Sequence, residues 1–278
     1  MTPLPDAATP PRETISIAIV AKDEETNLRR VLPTVASWAD EIVLIDSGST
    51  DGTIALAQSF GARVLHVPWP GYGVQVNNAL RAATSQWVFS LDADELFTPE
   101  LATEVQALLA RAARGEAPLD AYWVPRCNYF LGRAMRHGGF YPDRKLRLFR
   151  RGSAWAREDT EPHATPKYDG PAGSLTSDLL HDAYPTLALY LEHMNRYSSA
   201  SVPLVLGRGK QSRSLVAFMW NVVLNPVATF LYNYGLRGGF LDGREGLLLH
   251  GYHSCYVSWK FAKAWEQDRA GRARSSAG

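Results

Sequence analysis

The stretch WVFSLDADE, Trp87–Glu95, decides how this chain is read. Trp87–Leu91 is a short apolar run of the kind that forms a strand buried on both faces. It leads without a break into Asp92-Ala93-Asp94-Glu95. Acidic groups just past the carboxyl end of a strand stand where open α/β sheets bind their ligands. Two carboxylates separated by one residue in such a turn can reach a single cation. Their hard oxygens suit Mg²⁺ or Mn²⁺, which keep waters and bind substrate phosphates. By itself the triplet is also compatible with a solvated turn.

Working outward from it, the first half of the chain alternates strand and helix patterns. Ile15–Ala21 (ISIAIVA) and Glu41–Asp46 (EIVLID) read as buried strands, and Ala62–Val67 as a third. Helices are expected over Glu24–Trp38, Thr53–Phe60, Val74–Ala83 and Glu100–Arg114. Pro33 should kink or break the first of these, and Gly61 should end the second. This alternation argues for an α/β fold with a largely parallel, twisted sheet flanked by helices. Asp46 ends the second strand as Asp92 ends the fourth, which makes it a second ligand candidate. A helix-capping or turn role for Asp46 is the alternative.

After Asp120 the pattern changes to strands and long loops, with strands expected at Tyr122–Pro125 and Lys145–Phe149. From about Pro185 the chain reads as helical to near Asp268. The expected organisation is a disordered 1–13, a catalytic domain over 14–184, a helical extension over 185–268 and a flexible tail over 269–278. Within the catalytic domain, 14–119 would bind the donor and 120–184 the acceptor. Arg144, Arg147, Arg150 and Arg151 cluster around the second expected strand there. They would contact phosphates or line a solvated edge strand.

Three ordered motifs carry a family resemblance. Ile15–Ala21 followed by Lys22-Asp23-Glu24-Glu25 and Asn27-Leu28 resembles the first strand and helix of family 2 glycosyltransferases. Ile45-Asp46-Ser47-Gly48-Ser49-Thr50-Asp51-Gly52-Thr53 is similar to that family's second-strand signature, and Leu91–Glu95 to its metal motif. The resemblance extends to bacterial enzymes that glycosylate the lipopolysaccharide core or a related glycolipid. It does so through Gly139-Phe140-Tyr141-Pro142-Asp143, Leu146–Phe149, Leu180-His181 and Gly238–Gly243.

The resemblance implies a GT-A fold, an inverting reaction and a UDP-sugar donor. By position, Asp46 would accept a hydrogen bond from the uracil ring, Val20 and Ala21 would line the base pocket, and Glu24 would sit near the nucleotide. Asp94 would be the main metal ligand, with Asp92 directed to the ribose or to a metal-bound water. Gln75, Asn77 and Asn78 would contact the donor, the alternative being a solvated helix start. Inverting transfer also needs a general base. Glu161 is the first candidate and Asp159 the second, with Glu158 nearby. His163 or His181 would supply a third metal ligand or a phosphate contact. Ala164 departs from the family, which often has an acid just after the histidine.

Leu215–Tyr234 is the most apolar stretch and is long enough to span a bilayer. Asn221, Asn225, Thr229, Asn233 and Arg237 recur every four residues within or just beyond it, which argues against a simple lipid-exposed span. Arg208, Lys210 and Arg213 precede it, as in a helix that lies on anionic headgroups. A buried core helix is the alternative.

A formal net charge of +1 makes no global case for nucleic acid binding. Cys127 and Cys255 match no metal spacing and point to a reducing compartment. Met1–Pro11 has no apolar core of a signal peptide, so a cytoplasmic location, peripheral on the inner face of the membrane, is expected. A nucleotidyltransferase, or a nucleotide-sugar-binding protein without turnover, are the competing readings. The first normally has a basic Gly-rich loop where this chain has acidic Lys22–Glu25.

Overall fold

The computed structural model describes residues 12–116, 119–158 and 165–275. The chain divides into two compact units, one of residues 1–126 and 144–180, the other of residues 127–143 and 181–278.

In the first unit, β1 (Ile15–Ala21), β2 (Glu41–Asp46), β3 (Arg63–His66) and β4 (Trp87–Asp92) are parallel. After β4 come β5 (Glu95–Phe97), β6 (Ala121–Phe130), β7 (Arg133–Ala134) and β8 (Asp143–Arg150). The short β9 (Trp155–Ala156), β10 (Pro166–Lys167) and β11 (Gly173–Ser174) lead to β12 (Leu179–Tyr184). The main sheet runs in the order β3-β2-β1-β4-β8-β6-β12-β5. β8 pairs antiparallel with β4, so the parallel portion ends there.

Helices α1 (Glu25–Val31), α2 (Thr53–Ser59), α3 (Tyr72–Ala82) and α4 (Pro99–Ala113) cover the two faces. Strand alternation sorts the core between them. Ile15, Ile17 and Ile19 pack with Leu28 and Val31 of α1 and Leu101 and Val105 of α4. Ala18, Val43 and Ile45 point the other way, onto Val76, Ala79 and Leu80 of α3.

Pro33 acts as anticipated: α1 stops at Val31 and a 3₁₀ turn over Leu32–Thr34 replaces the rest of the expected helix to Trp38. Gly61, at φ +77°, terminates α2. Thr98 caps α4 through Leu101 N at 3.1 Å, with Pro99 in the first turn. The structure differs from the sequence expectation at several points. β6 runs on to Phe130, well past Pro125. β8 lies between β4 and β6, so the solvated-edge reading of its arginines is overturned. Arg12 and Glu13 are already tied in, by Arg12 to Asp40 at 2.7 Å and by Trp87 Nε1 to Glu13 at 2.6 Å.

The second unit is largely helical: α5 (Leu187–Ala200), α6 (Val202–Gly207), α7 (Leu215–Leu236) and α8 (Gly243–Ser275). Phe130, Met135, Tyr190, Met194 and Leu249 form one core, and Val202, Val205, Val257, Phe261 and Ala264 another. α7 alternates α and π turns, the π segments being Met219–Leu224 and Leu231–Leu236. Pro226 cannot donate to the Val222 carbonyl, and Ser258 Oγ takes that carbonyl instead at 2.8 Å. α8 continues to Ser275, where a flexible tail from Arg269 was expected. Cys127 is buried and Cys255 exposed, both as free thiols.

Candidate active site

Strand register brings the two acidic motifs together. Asp46 pairs across to Ala21, and Asp92 to Val20, so the two aspartates flank the carboxyl end of β1. The loops that follow β1 and β2 are bound to each other. Asp23 takes the Thr50 N–H at 2.7 Å, Asp51 takes the Glu25 N–H at 3.1 Å, and Glu25 takes the Gly52 N–H at 3.0 Å. Ser49 Oγ and Thr53 Oγ1 accept from the Asp23 and Glu24 amides. Asp23 itself adopts a positive φ of 54° to make this possible. Much of the polar character of both motifs is therefore spent on holding two loops in one conformation.

Asp46 is fully buried. Its carboxylate accepts from Gly48 N at 2.9 Å and Ser49 N at 3.2 Å, and meets His66 Nδ1 at 3.1 Å. Gly48 sits at φ +94°, which lets the chain turn back over the side chain. Burial alone would raise this carboxyl group. The hydrogen bonds from Ser49, His66 and Gly48 outweigh burial and hold it below its ordinary value. The turn-forming role is thus present in the fold, and it leaves Asp46 ionised at the strand edge. His66 had no part in the sequence reading; the only signal for it was its place at the end of β3, level with Asp46.

Gln75 is fully buried instead of sitting on a solvated helix start. Its amide donates to Ser47 Oγ at 2.9 Å and to Val67 O at 2.8 Å, fastening α3 to the Asp46 loop. Asn78 donates in turn to Gln75 Oε1 at 2.9 Å. Asn77 is buried too and clamps Ala156 in both directions, at 3.0 and 2.8 Å, while reaching Glu158 at 3.0 Å. It therefore fixes the strand from which the chain enters 159–164. Asp159, Glu161 and His163 lie outside the described residues. His181 belongs to the second unit and meets Asn128 Oδ1 through Nδ1 at 2.7 Å.

Asp92 and Glu95 share a cationic anchor. Arg147, 3% exposed, contacts both carboxylates, and Arg126 reaches Glu95 at 3.0 Å. Tyr72 Oη donates to Asp92 Oδ1 at 3.0 Å, and Glu95 accepts the Asp92 N–H at 3.1 Å. Burial works against the Arg147 charge, but Asp92 and then Glu95 more than offset it and raise its basicity. Arg147 is accordingly a counter-charge beneath the acidic turn. Of the other arginines in its strand region, Arg150 pairs with Glu13 and Asp120, and Arg144 is exposed.

Asp94 lies close enough to Glu24 for its charge to act there. Glu24, held by Asn27 Nδ2 at 2.7 Å, is pushed above its ordinary value first by burial, against the Asn27 bond, then by the charges of Asp94, Asp51 and Asp23. Negative charge thus accumulates where the β1 and β4 loops meet, on hard oxygen donors that suit Mg²⁺ or Mn²⁺. Among the described residues no three His, Cys, Asp or Glu side chains converge into a ready-made cage. A divalent cation here could draw on Asp94.

The description "Glycosyl transferase family 2" matches residues 16–167, which contain every motif above except the C-terminal ones. Over 263 residues the chain is 28% identical to the lipopolysaccharide core biosynthesis glycosyltransferase LpsC of Rhizobium meliloti (strain 1021), covering 92% of this chain and 94% of that one. An uncharacterized glycosyltransferase of Rickettsia conorii is 39% identical over 98 residues, 35% of either chain. Among solved structures, the mannosyltransferase PcManGT of Pyrobaculum calidifontis, in complex with GDP-Man and Mn²⁺, covers 95% of this chain and 90% of its own at TM-score 0.54 and 16% identity. That last likeness is one of fold, the GT-A type α/β architecture with a helical C-terminal extension.

Proposed function

The chain belongs to glycosyl transferase family 2, and from that premise we propose that it is an inverting, metal-dependent enzyme. It moves a hexose from a nucleotide-diphosphate sugar, a UDP-sugar in the first instance, to a lipopolysaccharide-core or related glycolipid acceptor. Its place is the inner face of the cytoplasmic membrane. The observation that carries this reading is the flanking of one strand end by Asp46 and Asp92, with Asp94 and Glu24 directly beyond.

In this reading Val20 and Ala21 line the base pocket and Asp46, kept ionised, accepts from the uracil ring. Asp92, pinned by Arg147 and Tyr72, faces the ribose or a cation-bound water. Gln75 and Asn77 act on the donor site by shaping its walls. Mg²⁺ or Mn²⁺ on Asp94, with His163 as a further ligand, would neutralise the diphosphate as it leaves.

The acceptor hydroxyl oxygen attacks the anomeric carbon in line. The bond from that carbon to the phosphate oxygen breaks, and its electron pair stays on the diphosphate. The hydroxyl proton passes to a carboxylate, Glu161 first and Asp159 second. One displacement inverts the anomeric centre. Asn77 supports this step at a distance, since it fixes Ala156 and Glu158 at the entry to that segment.

The test is purified protein with Mn²⁺, offered a panel of UDP-, GDP- and dTDP-sugars and scored for hydrolysis and for transfer to deacylated core oligosaccharide. Turnover of one donor with inversion supports the proposal. Nucleotide binding without turnover would make the chain a binding protein instead.

A further inference from the structure

α7 is built inside out for a helix of a soluble protein. Such helices bury the apolar stripe and solvate the polar one. Here Leu215, Val216, Trp220, Val227, Leu231 and Leu236 are between 50% and 84% exposed. The stripe of Asn221, Asn225, Thr229 and Asn233 is the half-buried side. Only 6% of the apolar window is buried, which disposes of the core-helix reading of this segment. Ten or so large side chains in one continuous face exceed what a soluble surface normally leaves open.

The neighbouring helix argues against a crossing of the bilayer. α8 runs antiparallel beside α7, through Val222 with Ser258 at 2.8 Å, Phe218 with Trp265 at 5.2 Å between ring centres, and Arg213 with Asp268 at 2.8 Å. Lys260, Lys263, Glu266 and Asp268 are thereby carried alongside the first half of α7. Taking that face through hydrocarbon would drag these charges with it.

The cations fit a surface instead. Arg208 and Lys210 stand just before α7 and close enough to Lys260 that, after burial, their charges lower its ammonium group. Arg237 and Arg244 are exposed at the other end. Positive charge therefore brackets the apolar face, the pattern of a helix lying in the plane of an anionic interface.

We propose that α7 docks flat on an anionic bilayer, with Val216, Trp220, Val227 and Leu231 at the acyl boundary and Arg208, Lys210, Lys260 and Arg237 on lipid phosphates. This deepens the glycolipid reading by naming the surface that would bring the enzyme to a lipid-anchored acceptor. It does not depend on which donor is used.

The experiment is co-sedimentation of the full chain with phosphatidylcholine vesicles, with and without phosphatidylglycerol. Binding is expected only with the anionic lipid and should fall with salt. Arg208→Gln with Lys210→Gln should weaken it about thirtyfold, from the usual contribution of each interfacial cation. Val216→Asp with Leu231→Asp should abolish it while circular dichroism and donor hydrolysis stay unchanged. Wild-type protein that ignores anionic vesicles, or binds them equally well with both aspartates in place, overturns the proposal. So does a wild-type dimer that Val216→Asp dissociates, which would give the face to a second copy, or binding that only detergent reverses, which would mean a span. Donor hydrolysis without vesicles reads the transferase chemistry separately: its failure beside intact vesicle binding would sink that reading alone.

Discussion

Tyr72 donates its phenolic hydrogen to Asp92 Oδ1 at 3.0 Å, from the first residue of α3 to the last of β4. The Asp92 charge, followed by burial, keeps that phenol protonated far above its ordinary range. With Arg147 as a second partner, Asp92 is held by two side chains, and the charge of Asp94 beside it bears on Glu24. The two members of the triplet therefore sit in different charge environments, Asp92 beside Arg147 and Asp94 near Glu24.

The anchor has a stability consequence. Among the described residues, Arg147→Met leaves Glu95, fully buried, with Arg126 as its counter-charge at 3.0 Å. Removing one partner of a buried ion pair costs about 3–5 kcal/mol. Thermal unfolding should shift down by several degrees, on the order of 2 °C or more per kcal/mol. An unchanged melting temperature would mean that the carboxylates do not need this arginine.

Asp94→Ala should reduce sugar transfer by about 100-fold or more, the scale of losing one preorganised electrostatic stabiliser. It should also remove the Mn²⁺ dependence of nucleotide binding, read by calorimetry. Full turnover of this variant in the presence of chelator would show that Asp94 does not serve a metal.

Glu24 gives a pH signature. Its folded value is raised, so between its unfolded value and that raised value the native chain binds more protons than the unfolded one. Stability from this group is complete below the unfolded value near 4.5 and is lost as pH climbs through the folded one. Glu24→Gln should therefore melt higher than wild type at neutral pH and match it at pH 4. Mn²⁺ should narrow the neutral-pH gap, since a cation offsets the same charge. Identical melting curves across that range would remove the acidic crowding from the account.

Glu161→Gln should lower kcat by about 10² to 10⁴, the usual contribution of a general base, with nucleotide affinity preserved. Asp159→Asn is the companion variant. If only the second loses turnover, the proton goes to Asp159.

The parallel core was legible because its signals are local. ISIAIVA and EIVLID are apolar over their full length, and Pro33 and Gly61 act within their own turns. Strand ends named the acidic candidates for the same reason. What escaped was pairing at a distance. Nothing in the sequence links Arg147 to Asp92 and Glu95, and a solvated edge was one of two readings of its strand, which β6 covers. For Gln75 and Asn77 a solvated helix start stood as the alternative to donor contact, because polarity indicates exposure only where no buried backbone awaits a partner, and here Val67 O and the Ala156 backbone did.

The sequence by itself determined the alternation of elements, the family motifs and the residues that could meet a nucleotide sugar, all of which follow from patterns a few residues long. The tertiary structure alone decided that Arg147 and Tyr72 meet Asp92, because charge balance depends on neighbours brought from other elements. It alone decided also which side of Leu215–Leu236 faces out, because periodicity defines two faces of a helix but not which one its neighbours will cover.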